Sequence, residues 1–182
     1  TTMEEAKRMS GKCDDGKECE LIIDSLMETP KEEKYFARVT NTLLLTNETP
    51  LRAMADGALT LGLTPTIKNL ELAGEARLVG EAIARELNAA PSGSVYLYGG
   101  ETTVTLRGEG KGGRNQELVL GSLPHLPSNT CLLALASDGV DNGEYAGAIC
   151  DTMTRERARV TNLDPQRFLE RNDSAAFFAA TG

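Results

Sequence analysis

The sequence predicts an α/β fold: a layered, largely parallel sheet with helices on both faces. Three observations lead there. Short apolar runs of strand length alternate with longer stretches of helical periodicity. Glycine, proline and asparagine punctuate the junctions between them. The run CLLALAS (131–137) is apolar and bounded by polar turns, the pattern of a central strand covered on both faces. At 182 residues the chain is long enough to bury a real core as a single domain.

Residues 1–36 are charged and weakly patterned and read as a linker, with LIIDSLM (21–27) as a short helix and ETPKEEK (28–34) as connector. From residue 37 the texture changes, and 37–182 read as the domain proper. NTLLLT (41–46) has the length of a buried strand. NETP follows, with Asn47 placed to cap a helix and Pro50 tolerated in its first turn. That helix is predicted to reach Leu61 and stop at Gly62. TPTIKNL (64–70) is the next predicted strand. GEARLVGEAIARELNAA then predicts a helix with Leu78, Val79, Ala82, Ile83 and Leu87 on one face. Glu81 and Arg85 pair at i,i+4. SVYLYGG is strand-like, ETTVTLR alternates with period two, and RNQELVLGSL turns helical, with Leu118, Val119 and Leu123 toward the core. Phe177 and Phe178 predict core packing.

The balance of 19 basic to 27 acidic residues gives a formal charge of -8, which argues against nucleic acid or an anionic membrane as partner. Any anion site must be local. Cys13, Cys19, Cys131 and Cys150 show neither C-x-x-C pairing nor metal-ligand spacing and read as reduced thiols, Cys131 a buried one. No apolar run reaches the roughly 18 residues that span a bilayer. The start lacks the apolar centre of a signal peptide, so a cytoplasmic protein is expected. A first residue other than Met, and an end directly after an apolar run, suggest a piece of a longer chain.

Two loops carry candidate chemistry. RGEGKGGRNQE (107–117) leads into a predicted helix whose first turn offers free N–H groups and a positive dipole end. Gly108, Gly110, Gly112 and Gly113 would let the backbone approach an oxyanion, with Lys111 and Arg114 supplying charge and Asn115 a neutral donor. Phosphate or carboxylate is the expected ligand. The Walker A spacing is absent and the dinucleotide fingerprint is incomplete. A basic, flexible connecting loop is the structural alternative. ALASDGVDNGEYAGAICD (134–151) presents Asp138, Asp141, Asn142, Glu144 and Asp151 at the end of the most apolar strand. Such carboxylates hold Mg²⁺ or accept a hydroxyl proton, although Asp-Gly and Asn-Gly are also ordinary turn chemistry. Glu101 is a third strand-end acid. His125, in LPHLP, reads as a turn residue rather than a base.

YGGETTVTLRGEGKGGRNQELVL followed by LALASDGVDNGEYAGAICD resembles the C-terminal, MOFRL-type region of glycerate 2-kinases, a family often labelled provisionally as hydroxypyruvate reductase. The likeness extends to METPKEEKYFARVTNTLLLTN, LAGEARLVGEAIA and ERNDSAAFFAATG, with the MOFRL-like core at about 94–182. The resemblance implies transfer of the γ-phosphoryl group of Mg-ATP to the 2-hydroxyl of D-glycerate in a cleft between two domains. This chain would supply one wall, and the nucleotide-binding domain that residues 1–36 join to it would be its missing partner. Arg114 corresponds to the arginine expected to stabilise the anionic substrate or moving phosphoryl group, and Asp138 and Asp141 to cleft acids. Gly99, Gly100, Glu101, Thr102 and Thr103 would form another wall, with Lys111, Gly112, Gly113, Asn115 and Asn142 beside it. The metal ligands stay unassigned. A reductase, or an anion-binding regulatory module without catalysis, are the other readings.

Overall fold

The computed structural model describes residues 29–181, so the helix expected at 21–27 lies outside the described residues. The chain divides into two units, Thr1–Leu44 and Leu45–Gly182. In the described part of the first, the only regular element is a single 3₁₀ turn, Glu33–Tyr35. Residues 41–46 form no strand, and Leu43 and Leu44 are each 86% exposed. An apolar run has strand length, but a strand also needs a neighbour to take its N–H and C=O groups.

The second unit opens with α1 (Glu48–Thr60), which ends as expected: Gly62, at φ 75°, donates to the Leu59 carbonyl while Leu63 donates back to Ala58. Asn47 occupies the cap position, but its side chain reaches the Leu70 carbonyl instead (3.1 Å). β1 (Thr64–Leu72) and β2 (Ser94–Gly100) pair in parallel through α2 (Ala76–Leu87), a βαβ unit, and α1 packs on both strands. The segment 101–107 continues β2 as extended chain with one isolated bridge, Glu75 to Thr103. α3 (Arg114–Ser122) lies at the centre, with every residue from Gln116 to Ser122 buried.

The helical face of α2 differs from the sequence reading. Leu78 is 60% exposed and Ala82 is exposed, whereas Ala76, Gly80, Ile83 and Ala84 are buried. The reason is close helix approach: a Cβ on Gly80 would sit 1.9 Å from the Leu118 carbonyl oxygen. Small residues, rather than the largest apolar ones, set the contact line.

β3 (Leu132–Leu135) pairs antiparallel with β4 (Gly147–Cys150), so the strands form two two-stranded sheets, one parallel and one antiparallel. Leu132 is buried, but Leu133, Leu135 and Ile149 are each more than half exposed, so β3 is covered on one face among the described residues. α4 (Thr152–Val160), α5 (Pro165–Glu170) and α6 (Ser174–Thr181) complete the chain. Asp151 and Thr154 close α4 with a capping box, and Asp164 caps α5 ahead of Pro165. Phe177 is fully buried and meets Phe168 and Phe178 edge-on at 5.5 and 5.4 Å. Losing such a ring costs about 3–5 kcal/mol. Cys131 is exposed, against expectation, and Cys150 is buried.

Candidate functional site

The stretches singled out in the sequence meet at the N-terminus of α3. Arg114, its first residue, donates to Glu101 at the end of β2 (2.5 Å). Asn142 donates to the Gly112 carbonyl (2.9 Å), tying the aspartate loop to the glycine loop. Asp141 goes further. Its Oδ1 accepts from the backbone and side-chain nitrogens of Asn115 (3.2 and 3.1 Å), and its Oδ2 from the backbone N–H of Gln116 (2.9 Å).

That arrangement bears on two expectations. The dipole end of α3, read as a cradle for an external anion, already holds an anion, the carboxylate of Asp141 from a loop 25 residues away. Asp141 is 4% exposed, and both of its oxygens are engaged on the first turn of α3 in the manner of a cap. Asn115 spends its amide on the same cap.

The glycines of this loop pack closely against protein. A Cβ on Gly108 would lie 2.5 Å from the Arg171 carbonyl oxygen, on Gly110 2.4 Å from the Asp173 Cβ, and on Gly112 2.0 Å from the Ser174 Oγ. On Gly113 it would lie 2.1 Å from the Asp141 carbonyl oxygen. The side-chain positions of the loop are filled by protein. Residues 171–175 hold it as well: Gly110 N–H donates to Arg171 O, Lys111 N–H to the Asp173 carboxylate (3.1 Å), and Ala175 N–H to Lys111 O. Sequence reasoning misses this clamp. The only signal is the polar ERNDS ahead of an apolar helix.

The outward side of the site is what a ligand could meet. The Arg114 side chain is 47% exposed and Glu101 70%, an ion pair of the weak, solvent-screened kind. Lys111 is exposed and has no ion-pair partner among the described residues; its loop borders an open groove of about 510 Å³ that Arg171 also lines. Asp138 is exposed and, among the described residues, accepts only from the Val140 N–H in its own turn (3.2 Å). At the β2 end Thr102 is buried, 5% exposed, while Glu101, Gly100 (which abuts Leu72) and Thr103 (which bonds the Gly74 carbonyl) are exposed. Gly99 packs beside Asn47 and Leu51. Asp151 caps α4, where the Thr154 N–H holds its carboxyl below the ordinary value. His125 sits in a 3₁₀ turn, 3.7 Å from Glu81.

An α/β domain whose strand-end loops converge on one helix start belongs to the class that builds small-molecule sites from loops. Within that class the match is specific: residues 94–182 match the model described as the MOFRL family. It is 33% identical over 157 residues to a glycerate 2-kinase of Pyrococcus horikoshii, covering 81% of this chain and 35% of that one. It is 36% identical over 167 residues to an Agrobacterium vitis protein provisionally named hydroxypyruvate reductase, covering 85% and 38%. A crystal structure of glycerate kinase from Thermotoga maritima matches all of this chain with TM-score 0.73 at 27% identity, over 46% of its own length. The chain thus spans less than half the length of each of these relatives. No described helix is long and apolar enough to cross a membrane.

Proposed function

We propose that this chain is the C-terminal part of an ATP-dependent glycerate 2-kinase, one wall of the cleft in which a phosphoryl group passes to the 2-hydroxyl of D-glycerate. The observation that carries the reading is the exposed set around the start of α3. Arg114 and Lys111 offer positive charge in a chain of net charge -8, and Asp138 is an exposed acid on the loop that Asn142 ties to theirs. Phosphoryl transfer asks chiefly for positioning and charge stabilisation. A guanidinium fork suits a carboxylate or phosphoryl oxygen pair, and Asp138 can hold the hydroxyl proton. The kinase names of the relatives point the same way.

ATP and the cytoplasm belong to this proposal. Mg²⁺ belongs to it as well, as an ion that arrives on the nucleotide phosphates; among the described residues no group of three His, Cys, Asp or Glu side chains is placed to hold a metal by itself. The test is to supply the complete gene product with ATP, Mg²⁺ and D-glycerate and follow phosphoglycerate, while following nicotinamide absorbance with hydroxypyruvate. Phosphoglycerate formation is expected. Nicotinamide oxidation without phosphorylation would establish a reductase, and glycerate binding without either would establish a binding module. Arg114→Lys should lower kcat about 10²-fold, because lysine cannot reproduce the planar fork.

A further inference from the structure

The loop that carries Lys111 and Arg114 is fixed by a polar ring that is buried at Arg77, Glu117 and Asn172, and its central member is Asn172. Asn172 is 5% exposed and sits between α5 and α6 in the left-handed region, at φ 53°. Its Oδ1 accepts from two consecutive backbone groups at the loop entrance, Arg107 N–H (2.6 Å) and Gly108 N–H (3.0 Å). Its Nδ2 donates to the Thr105 carbonyl (3.2 Å) and to Glu117 Oε2 (3.1 Å). Both acceptances and both donations of the amide are thus in use.

Glu117 stands three residues after Arg114 on α3, is 2% exposed, and leaves Oε1 without a hydrogen bond. Arg77 Nε approaches that oxygen at 3.9 Å and Arg77 also donates to Glu75 (3.2 Å). Glu75 in turn accepts from the Thr105 N–H and hydroxyl. The ring closes: Glu75, Thr105, Asn172, Glu117, Arg77. Burial pushes the Glu117 carboxyl above its ordinary value, against the pull of Asn172, Arg77 and Arg107, with Glu75 adding to the rise. A buried carboxylate is costly, and an apolar residue would fill the space more cheaply. What an apolar residue could not do is couple the loop entrance to the helix that begins with Arg114.

We propose that Asn172 and Glu117 are a positioning pair: they set the register between the loop at 105–111 and the start of α3, and so the placement of Lys111 and Arg114 toward the anionic substrate. This deepens the kinase reading and rests on it. Neither residue touches substrate; they act through the loop.

The test uses a donor–acceptor swap in the complete gene product. Asn172→Asp keeps an oxygen for Arg107 and Gly108 but turns a second oxygen toward Glu117 and the Thr105 carbonyl. Glycerate phosphorylation should fall in kcat/KM by about 10²-fold, the scale of a 1 Å misplacement. Adding Glu117→Gln supplies an amide donor to the new carboxylate and should recover about tenfold of the loss, as coupled neighbours do. The single variant should also regain activity as pH falls, because protonating either facing carboxyl restores a donor; the wild type and the double variant should lack that acid-side gain. Hydrogen exchange at the Arg107 and Gly108 amides should quicken in the single variant and slow again in the double. A single variant as active as wild type, or a double no better than the single in both activity and exchange, would overturn the pairing. If the wild-type gene product phosphorylates no glycerate, the kinase reading fails, while the exchange rates still decide whether the clamp exists.

Discussion

The glycine loop (107–113) and the aspartate loop (136–146) are rich in the same turn-forming residues, yet they are built on opposite principles. In the first, glycine is there because neighbouring protein occupies the space a side chain would need, at Arg171, Asp173, Ser174 and Asp141. In the second, Gly139 has nothing within 4 Å of its missing Cβ and is there for its backbone, at φ 86°. One loop is held closed by residues 171–175; the other keeps Asp138 in solvent, buries Asp141 and ties itself to Gly112 through the exposed Asn142. The lesson is that a glycine-rich loop beside basic residues need not be an open cradle. Here the loop is packed against residues 171–175, and the exposed charges of Lys111 and Arg114 lie on its outer side.

The largest effect should come from filling the closed loop. Gly113→Ala places a methyl group 2.1 Å from the Asp141 carbonyl oxygen and 2.2 Å from its Cγ, so the cap on α3 must move. Overpacking against backbone should cost about 3 kcal/mol, read as a lower midpoint in urea unfolding with an unchanged slope. A midpoint equal to wild type would mean the two loops are less tightly joined than the contacts indicate.

Asp141→Ala comes next. It removes the acceptor for two buried backbone N–H groups and the Asn115 amide without introducing a clash. Losing a helix cap and leaving donors unpaired should cost about 2 kcal/mol, a drop in Tm of about 4–8 °C for a domain of this size. Asp141→Asn, which retains an acceptor, should lose less. If Asp141→Ala proved neutral in stability but abolished activity, the residue would return to the role of a substrate contact.

The different legibility of the two loops has a physical basis. Helices α1, α2 and α3 and strands β1 and β2 are readable because each satisfies its own periodicity and its ends carry local signals, such as Gly62 after α1. The exposed leucines at 43–45 mislead because burial depends on what lies opposite, which local pattern does not encode. Residue type and loop position are enough to pick out Glu101, Arg114, Asn115, Asp141 and Asn142, which the fold brings together. They are not enough to sort inward from outward at Asp141, because its partner is a helix end 25 residues earlier. Asn172 is invisible for the same reason: its loop partners lie 64 and 65 residues away.

In the open loop the same kind of change should cost less. Gly139→Ala meets no steric obstacle, only the penalty of placing an L-residue at positive φ, about 1–2 kcal/mol. Gly139→Asn, a residue that tolerates this region, should recover most of that in the same unfolding measurement. An alanine cost equal to that at Gly113 would erase the distinction between packing and turn glycines.

The smallest change in stability, and the sharpest separation of the loops, is expected at Asp138. Its carboxylate is exposed, and its only hydrogen bond among the described residues is the one that Oδ1 accepts from Val140 N–H within its own turn. An asparagine side chain retains that acceptor oxygen, so Asp138→Asn should move the unfolding free energy by no more than about 0.5 kcal/mol. The amide cannot take a proton. If Asp138 holds the proton of the substrate hydroxyl, kcat should fall by about 10²-fold or more with glycerate KM little changed, since general-base help is used in the transition state and not in binding. A rise in KM with kcat intact would make Asp138 a binding contact instead. No kinetic change would leave the open loop a turn and confine the chemistry of this wall to Arg114 and Lys111.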